Sequence, residues 1–240
     1  MNLIRAVLLL IIFITPVKAN TIYNLIKIPN LEIYEINTKN KLKYFYAARP
    51  FRLGTQKNIV CSNPNKKDLE AKYKIVHKNL NKYTFNFLKK INLKYIVMCK
   101  NLSISELYTA GIPDNVMKTL IVDIKFNENY FERVIHHEVF HVMHLQHKEV
   151  FNEEEWMDFN KKGFQYADCS TCTDKIDLNT YIDTDGFLTE YSKTTPSEDM
   201  AEVFSHIMFD INIPNNDSIL QRKKEFIIKN ILKVDKTFKF

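Results

Sequence analysis

The pattern of apolar and polar positions places strands early in the chain. Residues 31–36 and 42–47 alternate apolar and polar side chains on either side of an Asn-Thr-Lys-Asn turn, which predicts a β-hairpin. Two short apolar runs, at 95–99 and 119–124, are typical of buried strands. One of these two strands is expected to lie at the sheet edge, where an extended peptide could pair with it.

Helical periodicity predominates in most of the other segments. From Lys66 to Lys90 apolar side chains recur at spacings of three and four, which predicts a helix. Residues 129–147 show helical periodicity without Gly or Pro, and further helices are predicted at about 196–209 and 218–233. Residues 152–195 are mostly polar and irregular.

The order of these elements predicts an α+β fold. We expect a sheet-bearing N-terminal lobe at residues 20–128 and a helical lobe at residues 129–240. With 45% hydrophobic and 12% aromatic residues in 240, the chain can fill a hydrophobic core. The chain has a net charge of +6 but no block of five or six consecutive basic residues, and its 4 Gly form no nucleotide-binding loop. Neither nucleic-acid binding nor nucleotide chemistry is therefore expected.

The first twenty residues differ from the rest. Arg5 precedes an apolar run from Ala6 to Ile14, Pro16 follows, and small residues lead to Ala19. This pattern is typical of a secretory signal peptide at residues 1–19. The run is short of the roughly 20 residues that span a bilayer, and no later segment is long and apolar enough to do so. The mature chain is expected to be secreted (extracellular, or periplasmic in a Gram-negative source), without stable membrane insertion.

Secretion changes the interpretation of the four cysteines. An even number of cysteines in an oxidising compartment favours disulfides over free thiols. Three pairings are possible, and Cys61–Cys99 with Cys169–Cys172 is preferred because the last two are close in sequence. A four-cysteine zinc site would need a second Cys-x-x-Cys pair, which the chain lacks.

The most informative stretch is His-Glu-x-x-His at residues 137–141, within a predicted helix. His137 and His141 are one helical turn apart, so both can bind one metal ion. Neutral imidazoles suit Zn²⁺, and we expect one ion per chain. Glu138 is close enough to take a proton from a water molecule activated by the metal.

A catalytic zinc usually has three protein ligands. His147 has the spacing of a metzincin third ligand, but that pattern needs Gly where this chain has His144. On a continuing helix His147 would face away, whereas His144 would lie on the ligand face. Glu198 is the other candidate, on the helix that starts near Pro196. Its spacing from Thr195 also fits a helix-capping box, so spacing alone leaves ligand and cap equally open.

Residues 186–204 resemble the second zinc motif of the anthrax lethal factor-like metalloproteases, a gluzincin group. That motif runs apolar-Thr-x-Tyr, a short polar turn, and Glu-x-x-Ala-Glu-x-Phe. The matching residues are Leu188, Thr189, Tyr191, Glu198, Ala201, Glu202 and Phe204. With the His-Glu-x-x-His helix, the resemblance covers about residues 130–206, and Pro196 in the turn departs from it.

The resemblance implies a zincin-like fold with the zinc site between the two lobes. It implies Glu198 as third ligand and Tyr191 as the donor of a hydrogen bond to the oxyanion. Glu202 is a candidate to hydrogen-bond a ligand histidine, and His206 is expected to be packed or exposed.

The sequence thus predicts a secreted zinc-dependent endopeptidase with a peptide or protein substrate. Zn²⁺ would be held by His137, His141 and Glu198, with Glu138 as general base and Tyr191 as oxyanion donor. One alternative uses His147 as a metzincin-like third ligand. Two others are a non-catalytic secreted zinc-binding protein and an interaction protein without metal.

Overall fold

A computed structural model describes residues 28–54 and 56–240. Its strands are β1 (Leu31–Glu35), β2 (Lys43–Ala47), β3 (Phe51–Leu53), β4 (Ile59–Ser62), β5 (Tyr95–Ile104), β6 (Leu107–Tyr108), β7 (Gly111–Asp114) and β8 (Thr119–Asp123). Its helices are α1 (Lys66–Leu80), α2 (Phe85–Lys90), α3 (Phe131–Gln146), α4 (Glu153–Met157), α5 (Pro196–Met208) and α6 (Ser218–Val234), with a 3₁₀ turn at Tyr191–Lys193.

The long strand β5 is the centre of the sheet. Its first half pairs in parallel with β2 on one side and with β8 on the other. The antiparallel strands β1 and β7 flank these three, so that this part of the sheet runs β1-β2-β5-β8-β7. The second half of β5 pairs with β4 and β6, and β3 lies beyond β4. The α+β class predicted from the sequence is confirmed.

Alternation along β5 sends successive side chains to opposite faces of the sheet. Ile96 and Met98 belong to the larger core, which the sheet shares with the helices. Val97 and Cys99 belong to a smaller core on the other face, where Cys99 is bonded to Cys61. Because both faces are covered, the first half of the strand, residues 95–99, is buried and apolar at every position, as the sequence predicted.

The predicted hairpin, the two buried strands and the helix at residues 129–147 are confirmed within one or two residues at most ends. The continuous helix from Lys66 to Lys90 is wrong. The first helix ends at Leu80, and Thr84 starts a second one by accepting a hydrogen bond from the backbone N–H of Phe87. A side-chain acceptor at this position favours a new helix start over continuation.

The prediction that 95–99 or 119–124 lies at the sheet edge is also wrong. Both strands have partners on both sides, and β7 occupies the outer position beside β8. Apolar and polar side chains alternate too weakly in residues 107–114 to predict a strand. The pairing of β7 depends on β8, which follows it in the chain.

The two cysteine pairs are those that the sequence favoured, Cys61–Cys99 and Cys169–Cys172. The predicted signal peptide at residues 1–19 lies outside the described residues. Within the described part of the chain, no helix is both long enough and apolar enough to span a bilayer.

Candidate metal centre

The helix α3 supplies two of the candidate ligands, and it is buried along most of its length. Apolar residues surround its histidines on nearly all sides, so packing against the sheet and α5 stabilises the helix. The Nε2 atoms of His137 and His141 lie 3.0 Å apart. The two residues are one helical turn apart, and their ring nitrogens point toward the same position.

Glu198 reaches the same point from α5. Thr195 precedes this helix, and its hydroxyl accepts a hydrogen bond from the backbone N–H of Glu198 at 3.2 Å. The Oε2 atom of Glu198 lies 2.9 Å from Nε2 of His137 and 3.0 Å from Nε2 of His141. The two interpretations of the spacing are therefore compatible, because Thr195 caps the helix while the Glu198 side chain faces the histidines.

The three ligand atoms form a group that could hold a metal ion. Zinc–nitrogen bonds of about 2.0–2.1 Å at tetrahedral angles separate ligand atoms by roughly 3.3 Å. The observed separations are slightly smaller, so a small widening of the site would seat the ion. Two imidazoles and one carboxylate also match the ligand set of catalytic zinc sites that keep a fourth position open.

Two carboxylates hold His137 between them. Burial lowers the pKa of this imidazole, but hydrogen bonds to Glu198 and Glu202 outweigh burial and raise its pKa to about 10. Burial also opposes the charge of Glu198, yet His141 and His137 hold the pKa of that carboxyl well below its usual range. A divalent cation bound here would take the place of the proton on His137, which makes binding depend on pH.

Glu138 is buried beside the two histidines, with 7% of its surface exposed. Burial raises the pKa of its carboxyl above the usual range, although His137 and His141 oppose this shift. Its side chain packs against Gly111 in β7. A buried carboxyl with a raised pKa beside a candidate metal site is suited to accept a proton.

Tyr191 lies in the 3₁₀ turn that leads into α5. Its ring centroid is 5.9 Å from that of His137. Burial raises the pKa of its hydroxyl, the charges of Glu198 and Glu138 add to this, and a hydrogen bond with Ser170 opposes it. The hydroxyl is therefore protonated at neutral pH and can donate a hydrogen bond.

Glu202 lies one turn beyond Glu198 and faces the other nitrogen of His137. The Nδ1–H of His137 donates to Oε1 of Glu202 at 2.9 Å, so Nε2 is the nitrogen on which a metal would replace the proton. The hydroxyl of Thr189 donates to Oε2 of Glu202 at 3.1 Å. His206 is fully buried, between the carbonyl of Glu202 and the hydroxyl of Thr180. Glu202 thus orients a candidate ligand, whereas His206 is a packed residue.

His144 approaches the site only through Ser197. The Ser197 hydroxyl lies 3.0 Å from Nδ1 of His144 and 3.4 Å from Nδ1 of His141. Burial lowers the pKa of His144 to about 4, so this imidazole is neutral. It supports the orientation of His141 from the side opposite to the metal position.

His147 and His136 are not part of the converging group. Nε2 of His147 lies 3.0 Å from the carbonyl oxygen of Lys90, at the end of α2. Nδ1 of His136 lies 2.6 Å from the Tyr83 hydroxyl and its Nε2 3.1 Å from Oδ1 of Asn79. The helix continues through His144 instead of turning out, which carries His147 away from the candidate ligands.

Two buried ion pairs beside the site were not predicted from the sequence. Arg133 pairs with Glu202, and Lys223 pairs with Asp199, the residue after Glu198 in α5. The spacing of four between Arg133 and His137 was an available signal, because it places both side chains on one face of α3. The pairing of Asp199 with α6 has no local signal, since the two residues are 24 positions apart.

A separate cavity of about 400 Å³ is lined by Lys161, Phe164, Tyr181, Asp183, Asp185, Phe187 and Lys193. None of the converging residues lines it. The candidate site is therefore defined by its ligand geometry and not by the size of a pocket.

Comparison with known protein families identifies the family of this chain. A family described as "Putative zinc-binding metallo-peptidase" matches residues 85–230, and the chain belongs to this family. The matched region contains α3, the 3₁₀ turn and α5, which carry the site. Searches of curated proteins and of solved structures found no match.

Proposed function

We propose that this protein is a secreted, zinc-dependent endopeptidase of the lethal factor-like type. His137, His141 and Glu198 hold one Zn²⁺. The observation that carries the proposal is the convergence of their three ligand atoms within 2.9–3.0 Å of one another. A zinc ion held by these residues would supply an activated water molecule, with a pKa lowered to about 7, and a Lewis acid for the peptide carbonyl.

Glu138 moves the proton. Its carboxylate accepts a proton from the attacking water and then gives it to the nitrogen of the leaving amine. Burial supports both halves of this exchange, because a raised pKa makes the carboxyl a better proton acceptor and keeps the transferred proton available.

The hydroxyl of Tyr191 donates a hydrogen bond to the oxyanion that forms as the carbonyl is attacked. A donor aimed at developing charge in a buried site stabilises the transition state strongly. The proximity of its ring to His137 supports this role.

The substrate binds as an extended chain along β7. This strand is antiparallel to β8 and lies at the outer edge of its part of the sheet. Except at Pro113, which has no N–H, its backbone N–H and C=O groups can pair with a peptide. The contact of Gly111 with Glu138 directs that peptide past the proton acceptor.

Residues 1–19 act as the signal peptide, residues 20–128 form the N-terminal lobe and residues 129–240 the catalytic lobe. The two disulfides support an oxidising compartment, since such bonds persist outside the reducing cytosol. The proposed peptidase activity implies that the substrates are peptides or proteins.

Glu138→Gln is the direct test. The variant keeps the size of the side chain but cannot accept the proton, so cleavage of an unfolded protein such as casein should fall by about 10²–10⁴-fold. Zinc content should stay at about one per chain, since Glu138 is not a ligand. Glu149→Gln, an exposed glutamate after α3, is the matched control.

The outcomes separate the alternatives. Zinc binding without cleavage in the unmodified protein would favour the non-catalytic zinc-binding alternative. Equal cleavage by the unmodified protein and by Glu138→Gln would refute the mechanism.

A further inference from the structure

Arg133 is buried in α3, one helical turn before His137. Only 4% of its surface is exposed, and a charge this buried needs close partners. Its Nη1 donates to Oε2 of Glu202, and its Nη2 donates to the carbonyl oxygen of Leu178 at 2.5 Å. One guanidinium thus contacts two elements that are separate in the sequence.

The first contact bears on a candidate metal ligand. The two oxygens of Glu202 have different partners, with Oε1 accepting from Nδ1 of His137 and Oε2 from Arg133 and Thr189. Fixing Oε2 fixes the rotation of the carboxylate, and this aims Oε1 at the imidazole. Arg133 therefore controls the orientation of His137 without touching it.

The second contact bears on Tyr191. Leu178 follows Asp177, whose carbonyl oxygen accepts a hydrogen bond from the backbone N–H of Tyr191 at 3.0 Å. Arg133 holds one residue of this segment, and the neighbouring residue holds the turn that carries the tyrosine. The guanidinium fork suits this bridge, because its donors point in fixed directions that a lysine ammonium cannot reproduce.

Charge gives a further reason for this position. Among the residues that the structure describes, Arg133 is the one Lys or Arg side chain in an ion pair with a carboxylate of the candidate site. Glu202 is fully buried, so its carboxylate depends on the hydrogen bonds that Arg133, His137 and Thr189 donate to it.

We propose that Arg133 is a positioning residue that sets the affinity for zinc through Glu202 and His137 and the placement of Tyr191 through Leu178. This inference rests on the proposed zinc peptidase function. It differs from a purely structural ion pair, because a structural role would change stability without changing metal affinity or the effect of Tyr191.

The first experiment measures zinc affinity on metal-free protein by competition with a chelator. Arg133→Lys keeps the charge but replaces the planar fork by a single ammonium, which cannot fix the rotation of the Glu202 carboxylate in the same way. Its zinc affinity should therefore fall by about 10–100-fold, the usual effect of disturbing an outer hydrogen bond. Glu202→Gln should fall by a similar factor. Arg222→Lys is the matched control, since Arg222 is exposed and also donates to a backbone carbonyl, that of Phe159.

The second experiment measures the effect of Arg133→Lys on kcat at saturating zinc in two backgrounds. One background is the protein with Tyr191 intact, and the other is the Tyr191→Phe variant. If Arg133 acts through Tyr191, its substitution should lower kcat several-fold in the unmodified protein and much less in Tyr191→Phe. Urea unfolding of each metal-free variant separates these effects from stability. Arg133→Met could fail to fold, so Arg133→Lys carries the test.

Each result has one meaning. Absence of zinc binding in the unmodified protein would refute the proposed function itself. If the unmodified protein and Arg133→Lys bind zinc tightly and with equal affinity, Arg133 does not set the zinc affinity through Glu202. The proposed function would not be affected by that result. Equal loss of kcat in both backgrounds would refute the connection to Tyr191.

Discussion

The Glu138 carboxyl group packs directly against the backbone of Gly111, so that a Cβ on this glycine would lie 2.7 Å from Cδ of Glu138. Real Cβ atoms do not approach other heavy atoms this closely. The edge strand β7 and the proposed proton acceptor are thus in contact, and glycine is required for that contact because it has no side chain. The backbone of Gly111 is not in the left-handed region, so space is the constraint at this position.

Gly111→Ala should therefore displace the Glu138 side chain. We expect kcat/KM for peptide cleavage to fall by roughly 10²-fold, since small displacements of a catalytic group have large effects. Zinc affinity should stay within a factor of about two, because the ligands lie elsewhere. Gly163→Ala is the control: its methyl group meets nothing within 4 Å, but its φ of +88° strains the backbone. That variant should lose stability and keep its activity; similar activity losses in both variants would contradict the contact argument.

The choice between Glu198 and His147 as third ligand can be tested by metal analysis. Glu198→Ala removes one of the three converging atoms, so zinc content after dialysis should fall from about one per chain to well below that value. His147→Ala should keep its zinc, because the His147 side chain is hydrogen-bonded to the carbonyl oxygen of Lys90 and does not face the ligands. Retention of zinc in Glu198→Ala with loss in His147→Ala would reverse the assignment.

Tyr191→Phe removes the hydroxyl and keeps the ring against His137. We expect kcat to fall by about 10²–10³-fold, as when one oxyanion donor is lost, with little change in KM or in zinc affinity. Tyr181→Phe is the matched control, because its hydroxyl contacts Glu190 and Lys193 instead of the site. A rise in KM at constant kcat would assign Tyr191 to substrate binding.

The buried pair of Asp199 and Lys223 fixes α5 against α6. Its Oδ2–Nζ distance is 2.6 Å, neither side chain is exposed, and Trp156 and Tyr166 also donate to Oδ2 of Asp199. Lys223→Met and Asp199→Asn should each lower the free energy of unfolding by about 3–5 kcal/mol, because each leaves an unpaired buried charge.

The double variant of this pair should lose less than the sum of the two single losses, as contacting residues do. Urea unfolding measures all three. Lys66→Met, in an exposed pair with Glu70, is the control and should show no measurable change. Additive losses in the double variant would exclude a direct interaction between Asp199 and Lys223.

Asp217 predicts a pH dependence of stability away from the site. It caps α6, and its carboxylate also accepts from the backbone N–H of Gly186 at 2.7 Å. Burial raises the pKa of this carboxyl, but its hydrogen bonds to Gly186, Leu220 and Ile219 outweigh burial and lower the pKa overall.

Because the folded-state pKa is below the unfolded value, Asp217 stabilises the fold at neutral pH. That contribution is lost as the pH falls below the unfolded value of about 4. Urea unfolding of metal-free protein should show Asp217→Asn less stable than the unmodified protein at pH 7, with the difference shrinking toward pH 3. Asp217→Ala also loses the cap and should cost about 0.5–2 kcal/mol. A difference that grows at low pH would contradict the direction of the shift.

The sequence by itself determined what depends on local spacing. The interval of four between His137 and His141 places both rings on one helix face wherever that helix lies, and period-two alternation identifies the strands of the hairpin. The apolar surroundings of α3 also required that it be buried. These features follow from the geometry of single elements, so they could be predicted without knowing what packs against them.

Tertiary structure alone decided which distant groups meet. Spacing could not separate cap from ligand at Glu198, and the packing of α5 on α3 brings its carboxylate to the histidines while Thr195 caps the helix. The order of the strands put β7 at the outer edge, because pairing depends on contacts between segments far apart in the chain. Arg133 joins Glu202 and Leu178 for the same reason: burial requires the charge to find partners, and only the fold determines which partners are within reach.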